Sequence, residues 1–143
     1  MSDIVDFLRA RIDEDEQLAR EAAQRTAWGD RSLPTWHVSS DSMMSGSAGV
    51  DAGALNDPQT HRIPVVSDEG FPTVEQARHI ARHDPARVLR EVEAKRRIID
   101  RAQELYDDPF DTELFVEYRA AILPGMAAVY SDHPDYQPEW ASR

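Results

Sequence analysis

An α+β fold, mostly α-helical, is predicted by three features of the 143-residue sequence. Apolar residues recur every three or four positions near the start of the chain and again past its middle, so two long helices and a shorter third are expected. Two short β-branched or aromatic runs lie between them and suggest a small antiparallel ribbon. Proline and glycine punctuate each change of pattern. The length suits one domain over residues 1–143, with a flexible loop at about 40–60.

Ser2 or Asp3 is placed to cap a first helix in which Val5, Leu8, Ile12, Ala19 and Ala22 fall at helical spacing. It should run to about Thr26, because Gly29, Ser32 and Pro34 end the pattern. Thr35 to Ser39 reads as a short strand around Trp36. Ser40 to Thr60 is rich in Ser, Gly, Ala and Asp and has no periodicity, which predicts a loop. Ile63 to Val66 is a second strand, confined to an edge because Pro64 has no N–H for a ladder bond. An isolated ribbon of this size is marginal, so it must lie on helices.

Thr73-Val74-Glu75-Gln76 spells a capping box, which starts a helix from Val74 to about His83. The chain restarts at Asp84-Pro85: proline drives the residue before it out of the helical region and itself suits a first helical position. From Pro85 to about Tyr106, Val88, Val92, Lys95, Ile99, Ala102 and Tyr106 form a stripe opposite Arg90, Glu93, Arg97, Arg101 and Glu104. A further helix from about Thr112 carries Leu114, Phe115, Tyr118 and Ile122, and Pro124-Gly125 should break or kink it. The closing segment, Tyr130 to Trp140, is irregular, and its three aromatic residues are expected to pin it onto the helices.

The 16 basic and 27 acidic residues leave a net charge of −11, and there is no cysteine. Disulfides, thiolate nucleophiles and cysteine-ligated metal centres are excluded, and a cytoplasmic setting is expected. Neither a signal-peptide core nor an apolar run long enough for a membrane helix is present. Only residues 71–106 are net basic, at +2, and there acids and bases alternate at helical spacing, as on a solvated face. Direct nucleic-acid binding is not expected, because phosphates require a surplus of cations on one surface. An acidic surface could instead imitate nucleic acid.

HIARHDPARVLREVEAKRRII, His79 to Ile99, resembles the signature of a family of small actinobacterial and actinophage proteins with no assigned function. FLRARIDEDEQLAREAA, Phe7 to Ala23, is similar to that family's first helix, and DHPDYQPEW, Asp132 to Trp140, resembles its closing segment. The Trp-x-Val strand followed by a helix and an Asp-Pro joint is similar to phage early proteins. The resemblance implies a compact α+β protein carried by phage or mobile DNA, and it implies no activity.

Few residues carry chemistry. His79 and His83 stand one helical turn apart, a spacing that suits a shared metal ion completed by His133, Asp132 or Asp135. Histidine in a last turn is also favoured by the helix dipole, and the Glu that would make a zinc-protease motif is missing. Ser45-Gly46-Ser47-Ala48-Gly49 has no Gly-Lys-Ser/Thr after it, and no Gly-x-Ser-x-Gly occurs anywhere. The expected function is therefore that of a non-enzymatic accessory protein that works through a protein partner or as a homo-oligomer, with no cofactor. The alternatives are a metal-binding protein or metal-dependent enzyme using His79 and His83, and an acidic nucleic-acid mimic.

One pair links the two long helices. Asp15 is the only charged member of the first stripe and Lys95 of the second, so an antiparallel arrangement would set them side by side as a register-fixing ion pair. The competing arrangement leaves Asp15 at the stripe's edge and Lys95 extended to water.

Overall fold

The computed structural model describes residues 2–25, 31–39, 46–53, 63–66, 72–107 and 112–141. In order, the elements are α1 (Ser2–Ala23), β1 (Gln24–Arg25), β2 (Arg31–Ser32), β3 (Trp36–Val38), β4 (Val50–Ala52), β5 (Ile63–Val66), α2 (Val74–Arg82), α3 (Pro85–Asp107), α4 (Thr112–Glu117) and α5 (Leu123–Ala127). The fold is α+β and mostly helical, with a three-stranded antiparallel sheet in the order β3-β4-β5. The chain divides into two compact units, residues 16–90 and residues 1–15 with 91–143.

The unit of residues 16–90 is built on the sheet. Val50 and Ala52 of β4 are fully buried, and Asp51 between them is not, so β4 alternates as a strand with one covered face must. Ala77 of α2 closes that face, with Trp36, Val38, Val74 and Ile80 around it. The middle strand falls inside the stretch 40–60 that the sequence marks as a loop. Three residues between two glycines are too few for periodicity to register, and only the pairing with β3 and β5 makes them a strand. Residues 40–45 and 54–60 lie outside the described residues.

Pro64 sits in edge strand β5 at an irregularity: Val66 faces Val50 and Pro64 faces Asp51, so Val65 is the extra residue of a bulge. Gly49 is required by its surroundings, because a Cβ there would lie 2.9 Å from the Val66 carbonyl oxygen. Gly53, at φ 107°, ends β4, and its N–H donates to the Thr35 carbonyl at 2.8 Å.

α1 ends at Ala23, earlier than the periodicity suggests, because β1 turns back to pair antiparallel with β2. The Ala23 carbonyl accepts the Leu33 N–H at 2.8 Å, and burial at this end follows that return: Ala23 is buried and Ala22 exposed. The capping box forms as its spelling predicts. Gln76 N–H donates to Thr73 Oγ1 at 3.2 Å, and Thr73 N–H donates to Gln76 Oε1 at 2.9 Å.

Asp84 joins the sheet to α3. Its Oδ1 accepts the Arg87 N–H at 2.8 Å, capping the helix, while Oδ2 accepts the Trp36 N–H at 3.1 Å. The Ala86 N–H, a second orphan of the first turn, donates to the Pro34 carbonyl at 2.9 Å.

In the unit of residues 1–15 and 91–143, Ile4, Val5, Leu8 and Ile12 of α1 are buried, as are Val92, Ile99, Ala102 and Leu105 of α3. Asp15 lies by Lys95 and Asp13 by Arg96, while Arg9 lines a recess with Ile99 and Asp100. Numbers fall along one helix as they rise along the other, so these segments run antiparallel. Tyr106 is off the buried stripe and half exposed, its ring 5.5 Å from that of Phe115. Its neighbour Leu105 takes the buried place, at 2 % exposure.

Pro124 does not break the last helix. A proline ring in a regular α-helix collides with the carbonyl four residues earlier. Here a π turn at Tyr118–Ile122 opens the helix by one residue just before it, closed by the Leu123 N–H on the Tyr118 carbonyl. The chain then continues as α5.

Removing the Asp84 carboxylate deprives α3 of its cap and orphans the Trp36 N–H. Asp84→Ala is expected to lower stability by about 2–4 kcal/mol, and Asp84→Asn by less, since the amide oxygen still caps. Urea unfolding of the two variants checks the order.

Candidate functional site

Lys95 is the only lysine in the chain. Its ammonium donates to Tyr130 Oη at 2.8 Å and to Asp15 Oδ2 at 3.2 Å, and the tyrosine hydroxyl donates to the same carboxylate oxygen at 2.6 Å. Three elements meet in this triangle: mid-α1, mid-α3 and a 3₁₀ turn, Ala128–Tyr130. The Lys95 and Asp15 side chains are 26 % and 31 % exposed, between a surface pair and a buried one. The ammonium lies 5.1 Å from the Tyr130 ring centre but within hydrogen-bond reach of its hydroxyl, so it sits off the rim and the hydroxyl carries the contact.

Partial burial works against the Lys95 ammonium, but the bonds and charges of Tyr130 and Asp15 more than offset it and hold its pKa above the ordinary 10.5. Burial, and then the bond to the Asp15 carboxylate, push the Tyr130 phenol above its ordinary 10.0, against the opposing pull of Lys95. A lysine nucleophile or a tyrosine base needs its pKa lowered toward neutrality. Both groups here move the other way.

A second cluster centres on Phe7. Around its buried ring stand Tyr130, His133, Tyr136 and Trp140, with centroids 4.9–6.3 Å away, and the Arg11 guanidinium carbon lies 5.3 Å from its centre. The closing aromatic residues thus pack on α1. Arg11, itself buried, donates to Glu14 at 2.6 Å and to His133 Nδ1 at 2.9 Å. His133 Nδ1 also accepts the Asp135 N–H at 3.1 Å. Two donors on one nitrogen make it the ring's acceptor and place the proton on Nε2, which leaves no free lone pair for a metal.

His79 and His83 are exposed in the other unit, their ring centres 4.4 Å apart. His83 Nδ1 lies 2.9 Å from the His79 carbonyl and donates to it, the usual bond of a last-turn histidine. Among the described residues, no group of three or more His, Asp or Glu side chains is placed to hold a metal ion. No described helix is long and apolar enough to cross a membrane.

A family model described only as a family of unknown function, DUF6221, matches residues 1–142. The chain belongs to this family. No curated protein and no solved structure matches it. The match to DUF6221 brings no activity with it, and the residues of this member have to be read on their own chemistry.

Sequence reasoning singles out Asp15 and Lys95, and the structure brings them together. It misses Tyr130, the Arg11–His133 contact and the bond from the Trp36 N–H to Asp84, all of which depend on contacts between residues far apart in the chain. The one available signal for Tyr130 is a phenol at the end of an apolar run.

Two measurements test the triangle. A double-mutant cycle on Asp15→Ala and Lys95→Ala is expected to give a coupling of about 1–2 kcal/mol, between the values for exposed and buried pairs, and a coupling near zero contradicts the pairing. The raised pKa values of Lys95 and Tyr130 mean that the folded protein keeps protons the unfolded chain releases. Their contribution is complete below pH 10.0, the lower of the two ordinary values, and is lost as pH rises through the raised folded values. Stability of the unmodified protein should therefore fall more steeply above about pH 10 than that of Tyr130→Phe. For the histidines, elemental analysis of untagged, dialysed protein should find no stoichiometric metal, and about one zinc per chain would overturn that expectation.

Proposed function

We propose that this chain is a non-enzymatic accessory or interaction protein of the kind carried by actinobacterial phages and mobile elements, acting in the cytoplasm through a protein partner or a second copy of itself. The observation that carries this reading is the Asp15–Tyr130–Lys95 triangle. The titratable groups brought together there are committed to one another, and the two proton donors are held away from the range in which they would act as nucleophile or base. Arg11 and His133 are likewise engaged with each other. Large apolar side chains meanwhile face outward: Leu18, Val116 and Val129 are each more than 60 % exposed. Single exposed apolar residues are ordinary, but on a chain of this charge they are natural contact points for a partner.

The test is co-purification from the native host of the chain carrying a photo-activated cross-linker at Val116 or Val129, with light scattering to report self-association. A single saturable partner, or a defined oligomer, is the expected result. A monomer that captures nothing, together with turnover of a small molecule or stoichiometric metal, would replace this reading with an enzymatic or metal-binding one.

A further inference from the structure

We infer that the closing segment, residues 131–140, is an acid-released latch on α1: His133 fastens it to Arg11 while its ring is neutral and unfastens it on taking up a proton. The first observation is the bonding of one nitrogen. Arg11 Nη1 lies 2.9 Å from His133 Nδ1, and the Asp135 backbone nitrogen lies 3.1 Å from it. Both groups can only donate, so both bonds need the lone pair of Nδ1. A proton there removes that lone pair, breaks both bonds and turns an N–H toward a guanidinium that is already positive.

The second observation is an anion inside the segment itself. The charged groups facing the ring are Arg11 from α1, with Glu14 held on the other terminal nitrogen of that guanidinium, and Asp135. Asp135 Oδ2 lies 3.9 Å from His133 Nδ1 and 3.7 Å from Arg11 Nη1. A neutral ring leaves that carboxylate to Arg11, whereas an imidazolium two positions away in the chain competes for it. One proton thus weakens both polar links between the segment and α1 and moves the pairing inside the segment.

The third observation is the state of Arg11. It is 8 % exposed, and its Nε already has no hydrogen-bond partner among the described residues. Losing His133 takes the short bond from a second buried nitrogen, and opening the segment returns both to water. The movement has a fixed inner end, because Tyr130 is tied to Asp15 and Lys95, and neither a phenol nor an ammonium titrates in mild acid. Beyond it, Tyr136 and Trp140 pack on Phe7, so opening the latch uncovers an apolar ring that is buried while it is closed.

The latch is a property of the chain alone and stands whether or not a partner exists. The test is hydrogen–deuterium exchange of the purified full chain at about pH 7.5 and about pH 5.0, with each rate divided by the intrinsic amide rate at that pH. An imidazole ordinarily titrates near pH ~6.5 and carboxylates near ~4, so this interval charges histidine and spares the acids. When the open form alone takes the proton, each pH unit below ~6.5 is worth up to about tenfold in opening. Amide protection within residues 131–141 is therefore expected to fall about tenfold or more in acid, while protection in the part of α3 beside α1 changes less than about twofold. In His133→Asn an amide oxygen can accept where Nδ1 does and takes up no proton in this range, so protection of the segment should be the same at the two pH values. The other four histidines remain in that variant, which isolates the effect of this one. Unchanged protection of the unmodified segment, an equal acid loss in His133→Asn, or a loss that spreads to α3 would each overturn the latch.

Discussion

The half-buried carboxylate of Asp15 constrains everything near it. A charge that has lost much of its water must be met by donors, and this one receives two, from Tyr130 and Lys95, on a single oxygen. Those donors come from segments 115 and 80 positions away. Satisfying Asp15 therefore fixes α3 beside α1 and brings the 3₁₀ turn of Tyr130 to both. Apolar contacts alone tolerate small slides of one helix along another; three directional bonds meeting at one point do not. Phe7 lies two turns earlier on α1, where the closing aromatic residues arrive once Tyr130 is in place.

The polar joints of the two units share a design. In each, one carboxylate takes two donors: Asp15 takes an ammonium and a phenol, and Asp84 takes two backbone amides. Asp84 ties a strand to a helix start and Asp15 ties a helix to a helix and a turn. Arg11 shows the cost of the opposite situation, a buried group with more donors than acceptors nearby. Its Nε has no hydrogen-bond partner among the described residues, while its other nitrogens hold Glu14 and His133. The stack on Phe7 provides for that face of the guanidinium what hydrogen bonds do not.

Legibility in the sequence follows the range of the forces involved. The capping box at Thr73, the restart at Asp84-Pro85, the span of α3 and the edge position of the strand holding Pro64 depend on residues within a few positions of each other, and local chemistry reveals them. Strand β4 and the β1–β2 pair exist only through partners elsewhere in the chain, so no periodicity announces them. Tyr106 and Ala22 lie on the stripes that spacing draws, yet neighbours one position away are buried in their place, because the packing partner decides which edge of a stripe is covered. The candidate site divides the same way. Opposite charges in two stripes point to Asp15 and Lys95, whereas the tyrosine that bridges them and the arginine beneath Phe7 are recognisable only once the tail has folded back.

Lysine and arginine are not interchangeable, and of the 16 basic side chains here 15 are arginine and Lys95 alone is lysine. That single ε-amine spends its hydrogens on a carboxylate and a phenol. Acylating reagents, aldehydes and any enzyme that modifies lysine must first break both bonds, and a neutralised nitrogen would leave Asp15 facing Tyr130 alone. Among side chains, amine chemistry thereby meets a single nitrogen, and that one is already engaged twice.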